Sequence, residues 1–396
     1  MQLGISTQEY RRRTEVVTAA MAEKGLDAFV FWNNTSVFYL SGFSFIPTER
    51  PACMIVDKQG KKTMFVPRLE VEHARACPEV NEIKSYPEYP GDLHPLHLLG
   101  KTLDEAGFGT ATIGCDSMGY GSTKGYDGPP LDQVLSTARF VLLKHLVEGA
   151  RVVKSEEELA FIRESARWGN LGHALLQEYS RAGMSENDVA TRASMESTAV
   201  MMKTMGDSYN PHAFGGAYVS AGFRGQIGPN SALPHAINVN AVMRQGDVLV
   251  TYSCPWVGGY TSELERTMFV GEPDAEKRKL FGYMREIQET AFENIRPGRK
   301  CSDVDKAVRA VYEKLGITEY WRHHTGHALG LLNHEAPFFD TGDDTVLRPG
   351  MVFSVEPGLY VPGIGGFRHS DTVLVKETGM EILTYYPREL ERLICG

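Results

Sequence analysis

The stretch GDVLVTYSCPWVGGYTSELERT, residues 246–267, decides how this chain is read. An apolar strand from Val248 to Tyr252 runs into a Pro/Gly turn and returns carrying Glu263 and Glu265 at i, i+2. On a strand that spacing points both side chains to one face. Like charges so close raise each other's pKa unless a cation sits between them. Read alone, the segment fits a surface strand with a solvated acidic face equally well.

Two segments further along change the balance. In HHTGHALGLLNHE, residues 323–335, His323, His324, His327 and His334 are four of the chain's 12 histidines, interleaved with glycine. One histidine is usually a satisfied core or surface residue, but four so close point to a site. In RPGMVFSVEPG, residues 348–358, an apolar strand ends in Glu356 just before Pro357-Gly358. A carboxylate at a strand end either serves a site or bonds a turn amide.

The chain around these segments divides near residue 150. Residues 1–150 alternate helix and strand: a helix opening with Thr7 as cap and stopped by Gly25, strands over 27–32, 52–56, 62–66 and 112–115, and a helical stretch near 70–76. This is an α/β pattern. Ser155 and Glu158 form a capping box that opens a long amphipathic helix. In 151–396, helices over 186–198, 274–295 and 302–315 and strands over 248–252, 266–270, 352–356 and 372–375 come in blocks, an α+β pattern.

Composition bounds the function. The 396 residues are 42% hydrophobic and 23% charged, an ordinary globular balance. With 41 Lys+Arg against 50 Asp+Glu the formal charge is −9, which disfavours nucleic acid as a partner. Cys53, Cys77, Cys115, Cys254, Cys301 and Cys395 are scattered, with no CxxC, and read as reduced thiols of a cytoplasmic protein. No stretch has the apolar length of a membrane span, and the N-terminal segment has no apolar core of a signal peptide.

Gly326-His327, Pro349-Gly350-Met351 and Val355-Glu356-Pro357, in this order after the Lys154-Ser155 helix start, resemble the creatinase/aminopeptidase family. The resemblance covers essentially the whole chain. It implies an α/β N-terminal domain (1–150) followed by an α+β "pita-bread" catalytic domain (151–396). Metal-dependent peptidases of that family hold their ions with two Asp, one His and two Glu. Here those positions fall on Tyr252, Glu263, His327, Glu356 and Ser370, so two ligands are lost and one is longer by a methylene. A phenol and a serine hydroxyl are poor substitutes for bridging carboxylates.

The same positions are similar in kind to the metal-free creatinase branch. By that resemblance His235 is the general base and acid, and Glu265 and Glu356 clamp a planar cation by charge-assisted hydrogen bonds. His327 also belongs to the catalytic set. Arg50 binds the substrate carboxylate from the partner subunit of a homodimer with shared sites, and Tyr260, Glu263 and His334 line the substrate. The expectation is a metal-independent, cofactor-free hydrolase of C–N bonds in a small guanidino or amidine compound bearing a carboxylate. The type reaction is creatine to sarcosine and urea. Glu263, where creatinase has Ala, and His334-Glu335, where it has an Arg, leave the substrate open, a cyclic amidine included. A metal-dependent Xaa-Pro dipeptidase with an altered site, in which Glu263, His327 and Glu356 hold one ion, and an inactive binding protein are the other readings.

Overall fold

A computed structural model describes residues 3–121, 124–209 and 218–396. The chain forms two compact units, one containing Ile5–Arg151 and the other containing the described residues before Ile5 and those from Val152 on.

The first unit is built on a mixed sheet of β1 (Ala28–Phe31), β2 (Cys53–Asp57), β3 (Lys62–Pro67), β4 (Glu82–Tyr86), β5 (Thr112–Cys115) and β6 (Arg139–Leu142) in the order β4-β3-β2-β1-β5-β6. Helices α1 (Thr7–Glu23), α2 (Asn34–Ser41), α3 (Val71–Arg75), α4 (Pro95–Leu103), α5 (Leu131–Val134) and α6 (Glu148–Arg151) accompany it. Phe29, Val30, Met54, Val56, Met64 and Phe65 are buried, because strands covered on both faces turn no side chain to water. The N-cap of α1 is Ser6, not Thr7: its hydroxyl accepts from the Glu9 amide, satisfying a donor that the first helical turn leaves open.

The second unit opens with α7 (Glu156–Tyr179), on the Ser155/Glu158 capping box, and α8 (Glu186–Met205). Its strands are β7 (Val219–Gly222), β8 (Val248–Val250), β9 (Tyr252–Val257), β10 (Tyr260–Thr261), β11 (Leu264–Glu265) and β12 (Thr267–Val270). After α9 (Ala275–Asn294) and α10 (Cys301–Leu315) come β13 (Gly326–Ala328), β14 (Glu335–Phe339), β15 (Val352–Val355), β16 (Gly358–Val361), β17 (Gly365–Arg368), β18 (Ser370–Val375), β19 (Met380–Ile382) and β20 (Ile394–Cys395). The large antiparallel sheet runs β10-β9-β11-β18-β15-β13-β14, with β7 on β9 and β19 on β18.

The expected strands 248–252 and 266–270 are each broken once. Thr251 and Arg266 lie between elements: the Arg266 amide donates to Thr251 Oγ1 at 3.1 Å, and the Thr251 amide to the Arg266 carbonyl at 3.0 Å. On one side of this pair β8 joins β12 in a small sheet with β20. On the other, β9 and β11 enter the large sheet. The first acid pair therefore lies on the large sheet.

Candidate active site

Register decides which side chains meet. Glu265 stands opposite Ser370, Ser354 opposite Thr372, and His327 opposite Ser354. Residues facing each other across an antiparallel ladder share a face, and so do residues two apart along a strand. One face of β11-β18-β15-β13 thus carries Glu263, Glu265, Ser370, Thr372, Ser354, Glu356 and His327. The opposite face takes Arg266 and Asp371, a buried ion pair at 2.8 Å. Gly326 permits the close approach of β13 to β15: a Cβ there would lie 2.0 Å from the Ser354 carbonyl oxygen.

Ligand atoms of Glu263, His327 and Glu356 all lie within 4.8 Å of one another. Glu263 is fixed at both ends. Its amide donates to Thr372 Oγ1 at 2.8 Å and its carbonyl accepts from the same hydroxyl at 2.9 Å. Its Oε1 is met by Ser354 Oγ at 2.7 Å and Ser370 Oγ at 2.8 Å. The Glu356 amide donates to the Thr325 carbonyl at 2.9 Å, and Thr325 is itself held by Asp305.

His327 is fully buried, and its Nδ1 bonds the Ala328 carbonyl at 3.1 Å. That leaves Nε2 turned to the acids, 3.1 Å from Glu356 Oε1 but out of line for a good hydrogen bond. Burial opposes charge on this imidazole. The Glu356 carboxylate, and behind it Glu263, outweigh burial and push its pKa up to about 9. Burial likewise acts to raise the Glu356 carboxyl, but His327 and then Arg368 hold it well below the usual range. A buried imidazole nitrogen without an aligned partner, facing two carboxylates, is a donor set that fits one divalent cation.

Glu265 has a different environment. Arg368 contacts both its oxygens, through Nε and, at 2.9 Å, through Nη2, and Arg224 Nη2 reaches Oε1. The Arg368 Nε also lies 3.8 Å from Glu356 Oε2, and its Nη1 donates to Tyr360 Oη at 2.9 Å. Burial acts against the charge of Arg368, but Glu265 holds it on, with a pKa well above the usual one. Glu265 is thus neutralised from within the protein and does not offer a free charge to clamp a guanidinium together with Glu356.

The other expected residues are placed as follows. His334 stacks on His327 with ring centroids 3.8 Å apart, and burial and then the His327 charge lower its pKa. His235 is exposed in the loop before β8. It makes no hydrogen bond among the described residues, and the carbonyl of its neighbour Pro234 lies 3.5 Å from Arg368 Nη1. Tyr260 is only 1% exposed, donates to Glu158 Oε1 at 3.0 Å and stacks on Phe161, so it braces α7 rather than lining the site. Arg50 belongs to the first unit, where Glu88 engages its guanidinium at 2.6 and 3.2 Å and Glu49 adds a further contact. Tyr252 lies beneath Arg224, whose guanidinium is 5.0 Å from the ring centroid.

The chain matches the metallopeptidase family M24 over residues 160–377 and the creatinase/prolidase N-terminal domain over residues 13–153. It belongs to the M24 metallopeptidase family. It is 33% identical to the probable dipeptidase PepE of Mycobacterium tuberculosis, over 96% of both chains. It is 30% identical to an Xaa-Pro dipeptidase of Pyrococcus horikoshii, over 93% of this chain and 96% of that one. Among solved structures it is similar to dipeptidase PepE of Mycobacterium ulcerans, with a TM-score of 0.80, 26% identity and 98% coverage of each chain.

The M24 assignment fixes the pita-bread architecture and corrects the metal-free, creatinase-like branch expected from Tyr252 and Ser370. Relatives spanning nearly the whole chain carry dipeptidase names, so the non-peptide C–N hydrolase is set aside. The internal pairing of Glu265 with Arg368 removes its physical basis as well. No helix among the described residues is long and apolar enough to cross a membrane, and all six cysteines are free thiols.

Proposed function

We propose that this M24 chain is a metal-dependent dipeptidase with Xaa-Pro dipeptides as its substrate class, working with one divalent ion held by Glu263, His327 and Glu356. The observation that carries this reading is the convergence of those three ligands within 4.8 Å, with His327 Nε2 left to face the acids. When bound, such an ion supplies an activated water and a polarised carbonyl. The chain's own residues do the rest. Ala328 fixes the tautomer of His327, and Ser354, Ser370 and Thr372 fix Glu263. Outer partners of this kind orient ligands and raise their basicity. His334, stacked on His327 with ring centroids 3.8 Å apart, is the imidazole beside the cluster. The homodimer implied by the family resemblance goes with this reading, and sedimentation of the purified protein tests it.

The deciding experiment is elemental analysis of the purified protein together with hydrolysis of Xaa-Pro dipeptides before and after chelation. Expected are one divalent ion per chain, loss of activity with chelator, recovery on adding manganese, cobalt or zinc, and loss of both metal and turnover in Glu356→Gln. Full activity without metal overturns the reading. Bound metal with no dipeptide cleaved supports the binding-protein alternative instead.

A further inference from the structure

We propose that Arg224 is the specificity-determining residue that binds the free α-carboxylate of the substrate, restricting the site to dipeptides. This rests on the dipeptidase reading above and deepens it.

The backbone is the first indication. Arg224 has φ +51°, a left-handed conformation that side-chain-bearing residues avoid. Such strain persists only where the surroundings dictate it, and it collects at functional sites. Here they do: the next residue, Gly225, donates its amide to the fully buried Glu186, and its carbonyl accepts from Asn230.

The side chain is the second. Glu265 is contacted by two guanidiniums, of which Arg368 is 3% exposed and Arg224 is 43% exposed. Arg368 spends its nitrogens on Glu265, Tyr360, Gln226 and the Pro234 carbonyl. Arg224 gives Glu265 one hydrogen of Nη2 and makes no other hydrogen bond among the described residues, so the second Nη2 hydrogen remains to form a two-pronged edge with its neighbouring nitrogen. The Tyr252 ring lies 5.0 Å below its Cζ and supports the guanidinium without using a donor. A half-exposed guanidinium, oriented from one side and open on the other, matches the two oxygens of a carboxylate.

Charge is the third. Glu263, Glu265 and Glu356 balance Arg224, Arg368 and the charged His327, and one divalent ion with His327 neutral as its ligand leaves the site net positive. A substrate bringing one negative group at its far end completes the balance. A longer peptide or a C-terminal amide places a neutral amide there and leaves the guanidinium short of its partner.

Proline and prolinamide differ only in that group and are not cleaved. The test is calorimetric titration of each into the manganese-loaded protein, for wild type, Arg224→Gly and Arg224→Lys. Glycine suits φ +51° and keeps the loop's conformation, which thermal unfolding verifies. Expected is binding of proline at least tenfold tighter than prolinamide in wild type, no preference in Arg224→Gly, and a partial preference in Arg224→Lys. Equal affinities in wild type, absence of binding, or an undiminished preference in Arg224→Gly overturns the proposal. Dipeptide hydrolysis is read separately. A protein that prefers proline through Arg224 yet cleaves no dipeptide sinks the peptidase reading alone. One that cleaves dipeptides without the preference sinks this proposal alone.

Discussion

Ser370 Oγ lies 2.8 Å from Glu263 Oε1, where Ser354 Oγ also arrives at 2.7 Å, and the two hydroxyls are 2.6 Å from each other. Two hydroxyl hydrogens cannot serve three contacts. Charge-assisted bonds are the stronger ones, so both donate to the carboxylate and the pair orients Glu263 toward His327. Ser370→Ala removes one of these donors from an outer partner of the proposed metal ligand. It is expected to weaken metal affinity by about 10- to 100-fold while leaving the fold intact. Competition with a fluorescent chelator measures this, and unchanged affinity would make the serine pair a packing feature.

The His327–Glu356 contact makes the metal-free protein sensitive to alkaline pH. His327 goes from about 6.5 in an unfolded chain to about 9 in the fold, a raised value. Its stabilising contribution is therefore complete below about pH 6.5 and is lost as pH rises toward 9. Glu356 is shifted the other way, so its contribution is present above the ordinary carboxylate range and is lost only in strong acid. Denaturant midpoints in chelator should fall between about pH 6.5 and 9, above the window in which the buried histidines of lowered pKa (His173, His323, His334, His369) act, and His327→Asn should abolish that fall. A slope that survives in His327→Asn would assign it to another group.

Tyr260 separates a structural residue from a site residue. Its hydroxyl donates to Glu158 Oε1 at 3.0 Å, and Glu158 also accepts from the Ser155 amide at 3.0 Å at the start of α7. Tyr260→Phe should cost about 1 kcal/mol of stability and leave the KM for dipeptides unchanged. A several-fold rise in KM at unchanged stability would return Tyr260 to the substrate.

The clustered acids and histidine were legible from the sequence as site residues, though read there as metal-free, because strand periodicity and local motifs encode them. Glu263 and Glu265 share a face by their i, i+2 spacing, Glu356 precedes a Pro-Gly stop, and His327 sits in a glycine-flanked cluster. Ser354, two residues before Glu356, was open to the same arithmetic. Arg224 was not, because its role comes from a left-handed backbone and from pairing with a residue 41 positions away. The neutralisation of Glu265 by Arg368 was hidden for the same reason: the partners are 103 residues apart, and only the fold decides which acid a nearby arginine takes. Tyr252 and Ser370 pointed away from a metal when counted as missing carboxylates. In place, Ser370 holds the carboxylate of Glu263 and Tyr252 lies against the Arg224 guanidinium.

The breaks at Thr251 and Arg266 were equally invisible, since an apolar run carries no mark of where it changes sheets. The residue at the second break supports the site from behind. Arg266 and Asp371 are both fully buried on the opposite face of the same ladder, joined at 2.8 and 3.3 Å. Arg266 also donates to the carbonyls of Glu265, Ser370, Tyr386 and Pro387 at 2.7–3.0 Å. Thr384 and Gln288 donate to the Asp371 oxygens at 2.7 and 3.0 Å. Asp371→Ala leaves a guanidinium buried without its counter-charge and is expected to cost about 3–5 kcal/mol. Replacing both partners, as Arg266→Met with Asp371→Leu, removes the stranded charge and should recover part of that loss, the remainder reflecting the four carbonyls left without a donor. Urea unfolding of the three variants measures it. A loss below about 1 kcal/mol in Asp371→Ala would mean that water or another acid reaches Arg266, and the ladder would not depend on this pair to hold Glu265 and Ser370 in register.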